Sequence, residues 1–174
     1  SFQATPNFLY AIAKMDSLST KDSSWVENAA VQFMAQRDSL VFNINAKSSR
    51  TNSSINLNGL ANTHQQIIDA SLKESELILE GKTWRINPNN QIKYDKKNWT
   101  ITGLDLQEEN QVISINTYQS EHSQDNIRVV FSNVNLHQLS QWAYAKNEVS
   151  PIGGLLNGNI QVEHFTGKPA LYVD

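Results

Sequence analysis

The chain has 174 residues, enough for one domain with a core of its own. Hydrophobic residues make up 39% and charged residues only 18%, so uncharged Asn, Gln, Ser and Thr supply the remaining polarity, which suits strand faces better than helix surfaces. A formal charge of -3 offers no basic field for nucleic acid, and the lack of cysteine excludes a disulfide framework, a thiolate metal site and a cysteine nucleophile.

The longest apolar stretch, Phe8 to Ala13, is far shorter than the roughly 20 residues that span a bilayer as a helix. Downstream, a two-residue period dominates, the mark of strands with one buried face. Leu40, Phe42, Ile44 and Ala46 alternate with Val41, Asn43, Asn45 and Lys47; Ile55, Leu57, Gly59 and Ala61 alternate with Asn56, Asn58, Leu60 and Asn62. Leu77 and Leu79 then share one parity, while Glu74, Glu76 and Glu80 take the other, a solvated strand face. Trp84-Arg85-Ile86 is stopped by Asn87-Pro88-Asn89-Asn90, a turn on chemical grounds because Pro fixes φ and Asn tolerates the left-handed region. Gln91 to Tyr94, Trp99 to Leu106 and Val112 to Thr117 follow, separated by polar turns, so that some nine strands form a meander.

One helix interrupts the pattern near 135–145, where Leu136, Leu139, Trp142 and Ala143 recur at helical spacing after Asn135, an N-cap with Gln138 three residues on. Its stripe is too narrow to roof the sheet. Pro151 and Gly153-Gly154 mark a linker or module junction at 146–157, between a β module at 1–145 and the start of a next β unit at 158–174. Without an initiating Met or a signal-peptide pattern, and ending in strand-like Leu171-Tyr172-Val173-Asp174, the sequence reads as an internal segment whose sheet edges are paired by flanking segments of the same chain. Thr5-Pro6-Asn7-Phe8-Leu9-Tyr10 and Lys168-Pro169-Ala170-Leu171-Tyr172 look alike, either as two unrelated edge strands that begin with Pro or as copies of a repeated unit.

Motifs of catalysis are missing. His64, His122, His137 and His164 lie far apart and fit no metal-binding spacing, and no nucleophile elbow, phosphate loop or calcium loop occurs, so neither metal nor cofactor is expected. The Asn52-Ser53-Ser54 and Asn98-Trp99-Thr100 sequons are frequent by chance in an Asn-rich chain. The expected fold is therefore all-β, a mainly antiparallel curved sheet with an open apolar groove or a sandwich, plus one short helix; the expected role is non-enzymatic.

From Leu77 to Gly158 the sequence resembles the Bacteroidota-type members of the TamB family, translocation and assembly module subunits of the AsmA-like lipid-transfer superfamily. The resemblance rests on the Trp-bearing strand and Asn-Pro turn of Leu77 to Ile92, on Leu104-Asp105-Leu106, on Asn110 to Ile115, on the Asn133 to Leu139 helix entry and on Gly153-Gly154-Leu155-Leu156-Asn157-Gly158. Thr117-Tyr118 stand where the pattern carries a Gly. The resemblance implies a periplasmic segment of a long protein anchored in the inner membrane, with an outer-membrane barrel partner of the Omp85 type. It also implies a part in outer-membrane biogenesis, by intermembrane phospholipid transport or outer-membrane protein assembly.

An alternating sheet without enough helices must cover its apolar face with a second sheet, by curling, or with a ligand such as phospholipid acyl chains. The groove candidates are Leu40, Phe42, Ile44, Ile55, Leu57, Leu77, Leu79, Trp84, Ile86, Ile92, Trp99, Ile101, Ile113, Ile115, Val129 and Phe131. The competing expectation is that the same residues form the core of a closed β-sandwich serving adhesion, carbohydrate binding or spacing.

Overall fold

In the computed structural model, which describes residues 1–5, 7–20, 23–48, 52–96, 98–120, 125–143 and 152–174, the alternation becomes fourteen strands in one curved, unclosed sheet. The strands are β1 (Phe2–Thr5), β2 (Phe8–Thr20), β3 (Ser23–Gln36), β4 (Ser39–Lys47), β5 (Ser54–His64), β6 (Ile67–Leu79) and β7 (Lys82–Ile86). After them come β8 (Gln91–Asp95), β9 (Trp99–Thr102), β10 (Leu104–Glu108), β11 (Gln111–Tyr118), β12 (Asn126–Asn135), β13 (Leu155–Glu163) and β14 (Ala170–Val173). Every pairing is antiparallel, and the main path runs β1-β2-β3-β4-β5-β6-β7-β10-β11-β12-β13-β14. Among the described residues no second sheet covers it, so the sandwich alternative is not what the chain forms.

Tight turns make the meander possible. Gln65-Gln66 and Glu80-Gly81 take positive φ at both positions of two-residue loops, the turn geometry whose twist matches that of the flanking strands. Of the four irregularities in register among the long strands, three contain one residue with positive φ: Asn28 in β3, Glu74 in β6 and Asn133 in β12.

The Asn-Pro turn does not reverse the chain, contrary to the expected meander. Both β7 and β8 run antiparallel to β6, β7 along its second half and β8 along its first, so Asn87–Asn90 is a bulge within one strand line. The buried Asn90 amide fills the gap: its Oδ1 accepts from Leu72 N at 2.8 Å and its Nδ2 donates to Leu72 O at 2.8 Å, replacing a backbone rung. Likewise Trp99 to Leu106 is not one strand, because Gly103, at φ +64, divides β9 from β10. Thr117 Oγ1 there accepts from Ile101 N at 3.0 Å, and Asn116 Oδ1 accepts from Gly103 N at 2.8 Å. At the β6 bulge, Ser75 Oγ accepts from Asn58 N at 2.8 Å and donates to Asn58 O at 3.0 Å. At these three breaks polar side chains thus close the ladder that the backbone leaves open.

The helix α1 (Leu136–Ala143) lies within the expected span, and Asn135 Oδ1 caps it by accepting from His137 N and Gln138 N at 3.0 and 3.3 Å. Gln138 does not close the capping box. The Asn135 N–H donates instead to Gln111 Oε1 at 2.7 Å, and Gln111 Nε2 donates to Gln138 Oε1 at 3.1 Å, tying the helix entry to the end of β11. Residues 144–151, including the first half of the expected junction, lie outside the described residues. Leu155–Asn157 already belong to β13, and residues 158–174 continue the same sheet through β13 and β14.

Candidate functional site

Residues directly opposite one another on antiparallel strands project to the same face, so register alone sorts the side chains. One line of partners runs Leu9, Ala35, Leu40, Ala61, Ala70, Ile92, Ile101. A second runs Phe2, Ala11, Phe33, Phe42, Gly59, Leu72, and a third Ala46, Ile55, Leu77, Trp84. On the other half of the sheet, Ile86, Leu106, Ile113, Phe131 and Gly158 align, as do Leu104, Ile115, Val129, Ile160 and Val173. All sixteen groove candidates fall on this one face. Sequence reading missed Phe33, Leu72, Leu104, Leu106 and Ile160, which share it; the alternation of Val31, Phe33 and Ala35 and of Ile160 and Val162 was the available signal.

The face is half covered. Of the sixteen, Trp84 and Ile86 are buried at 1% and 7% exposure, Trp99 is exposed at 36%, and the other thirteen lie between. The buried apolar side chains among the described residues are Ala61, Trp84, Ile86 and Val134. In a closed sandwich a second layer would cover most of the inward positions of the central strands; here same-face neighbours provide the cover. Phe42 lies so flat across Gly59 that a Cβ added to the glycine would stand 2.1 Å from ring carbon Cζ. The Trp84 Nε1–H is buried with no hydrogen-bond partner, an uncompensated donor in the middle of the apolar face.

Polar groups gather at one rim of this face. Glu108, 5% exposed, accepts from Gln111 Nε2 and lies 3.5 Å from Lys82 Nζ, beside the entry to α1. Tyr94 and Trp99 stack at 4.8 Å across the β8–β9 hairpin.

The opposite face is polar along most of its length. Asn45, Asn56, Glu76, Arg85, Gln107, Val112 and Ser132 form one register line, and Asn43 Nδ2 donates to Asn58 Oδ1 at 2.7 Å and to Asn56 Oδ1 at 3.1 Å. The three glutamates read as one solvated row are separated: Glu74 is the bulge residue, Glu80 sits in a turn, and only Glu76 keeps the polar face, opposite Arg85. A row Tyr10, Met34, Val41, Leu60 is the apolar exception, with Met34 and Val41 45% and 44% exposed. An open cleft of about 560 Å³ lies on this face, lined by Glu76, Arg85, Asn87, Asp105 and Gln107. Further along, Arg128 covers the Tyr118 ring at 4.6 Å and Tyr118 donates to Gln161 Oε1 at 3.0 Å. Desolvation, reinforced by the Glu163 carboxylate, raises the Tyr118 phenol above its ordinary value.

Among the described residues, no group of three or more His, Cys, Asp or Glu is placed to hold a metal ion, and no helix is long and apolar enough to cross a membrane. His122 lies outside the described residues; His164 Nδ1 approaches Asp125 at 3.7 Å in the β13–β14 turn. The chain matches no family model, no curated protein and no solved structure.

Proposed function

We propose that the chain is a non-enzymatic segment of a TamB-like periplasmic protein anchored in the inner membrane, whose apolar sheet face takes up phospholipid acyl chains on their way between membranes. An outer-membrane barrel protein is the expected partner, and outer-membrane biogenesis, through lipid transport or protein assembly, the expected role. The observation that carries the lipid reading is the continuity of one half-covered apolar face through every strand of the main path.

Twelve strands in that path, spaced about 4.8 Å apart, give a strip roughly 50 Å long measured across the strands. Each methylene removed from water contributes about 0.8 kcal/mol, so an acyl chain laid on the strip stabilises itself and completes the burial of the side chains beneath it. Aliphatic side chains impose no hydrogen-bond geometry on such a guest, and movement along the strip breaks no directional contact.

Photo-crosslinking tests the reading. The purified chain, with benzoylphenylalanine at Ile101 on the apolar face or at Thr100 on the polar face, is mixed with vesicles of phosphatidylethanolamine and phosphatidylglycerol and irradiated. Phospholipid adducts are expected at position 101 and not at 100. No adduct at 101, or equal labelling of both faces, would overturn it.

A further inference from the structure

Three bulges set two residues of one strand against one of its neighbour: Asn28-Ala29 of β3 against Ala46, Glu74-Ser75 of β6 against Leu57, and Ser132-Asn133 of β12 against Asn157. β3, β6 and β12 are 14, 13 and 10 residues long, so bulges placed independently would scatter along them. They do not scatter. The line of cross-strand partners that runs from Asn45 through Glu76, Arg85 and Gln107 to Ser132 contains or directly adjoins all three. The fourth irregularity, between Leu18 and Ser19, lies near the β2–β3 turn and off this line. Two of the extra residues are held from the neighbouring strand: Asn58 Nδ2 donates to Glu74 O at 3.1 Å, and Asn133 N donates to Asn157 Oδ1 at 2.8 Å.

A bulge bends its own strand, so three on one line bend the sheet about a common axis. Burial gives the direction of the bend. Among the described residues, three of the four buried apolar side chains, Trp84, Ile86 and Val134, stand beside the line on the apolar face, whereas Arg85 and Gln107, on the line and on the polar face, are exposed. We propose that the three bulges act together as a crease, which folds the strand ends beyond it over the apolar face as one lip and so covers Trp84 and Ile86. The lip comprises Leu77–Leu79, Lys82–Trp84 and Val134-Asn135 with α1, whose entry Gln111 ties to the end of β11. It requires no lipid and stands independently of the transport reading.

One residue of each bulge is surplus to the strand pattern. Lys73 and Glu76 both face the polar side although they are three positions apart, a spacing that regular alternation does not allow, and deleting Glu74 between them restores the alternation without moving any other side chain to the wrong face. Asn28, between Glu27 and Ala30, and Asn133, between Ser132 and Val134, are surplus in the same way. The test uses a chain whose only tryptophan is Trp84, made by Trp25→Phe, Trp99→Phe and Trp142→Phe, with acrylamide quenching of fluorescence as the measure of cover. With the bulges intact, Trp84 is expected to be protected. Deletion of Glu74 is expected to keep the β signal in circular dichroism and to raise the quenching constant several-fold, and deletion of Asn28, Glu74 and Asn133 together to raise it further. Deletion of Ser114, from the uninterrupted pairing of β11, is expected to abolish the fold. A Glu74 deletion that abolishes the fold as the Ser114 deletion does would mean that Glu74 is not surplus. A folded deletion chain in which Trp84 stays as protected as before would mean that the crease does not supply the cover. Either result would overturn the proposal, as would a Trp84 open to quencher while all three bulges are in place.

Discussion

A carboxylate placed at two positions of the apolar face separates a covered core from an open surface. Ile86 is 7% exposed, whereas Ile101 is only half buried and has its backbone N–H and C=O held by the Thr117 hydroxyl at 3.0 and 3.3 Å. Ile86→Asp forfeits most of an isoleucine's burial, about 1.5–3 kcal/mol, and strands a charge without a partner, for a total loss of about 5 kcal/mol. Ile101→Asp forfeits a smaller part of that burial and about 1 kcal/mol of strand preference, while its carboxylate keeps water on one side, so about 2–3 kcal/mol is expected. Urea unfolding followed by tryptophan fluorescence measures both, with the shift in midpoint multiplied by a common slope. Equal losses of about 5 kcal/mol would mean that position 101 is as desolvated as position 86, and an open apolar face would no longer account for its partial exposure.

Asn90→Ala deprives both Leu72 backbone groups of their partner, and urea unfolding is expected to show a loss of about 2–4 kcal/mol; a change below about 0.5 kcal/mol would mean water replaces the amide without cost. Gly59→Ala drives a methyl into the Phe42 ring and should cost about 1–3 kcal/mol, with part of it recovered in the Gly59→Ala, Phe42→Leu double variant; an additive pair of losses in the same assay would refute the clash. The raised Tyr118 pKa means that the native state holds this proton more tightly than the unfolded chain does, so its contribution is intact below the ordinary tyrosine value near 10 and is lost as pH climbs through the folded value. Absorbance titration of tyrosinate should show one phenol ionising late, and Tyr118→Phe should remove that component along with its share of the alkaline loss of stability.

The apolar face was legible because period-2 patterning survives wherever strands pair without interruption, as in Leu40 to Ala46 against Ile55 to Ala61. Reading failed where one residue takes a left-handed conformation, because a bulge flips parity for everything beyond it. Glu74 looks like the companion of Glu76 only if φ +37 is unknown. Local chemistry makes Asn87–Asn90 a turn, yet whether a turn reverses a strand or merely bulges it depends on the partner, and Leu72, eighteen residues from Asn90, decides that question. Gln111 likewise displaced Gln138 at the helix cap from a distance that no local pattern encodes. Absence of covering elements is also illegible locally, since the same alternating strands pack a sandwich core or line an open face.

The side chains that complete the ladder at Leu72, Ile101 and Asn58 have a mechanical consequence. A backbone rung breaks only when two strands slide or peel apart, whereas an amide or hydroxyl that stands in for one can swing away about its own χ angles and leave both strands in register. Strain applied across the strip therefore collects at these few substituted rungs, and the sheet bends there as a jointed strap does. The sheet can change its curvature there at the cost of single side-chain hydrogen bonds, each worth about 1 kcal/mol.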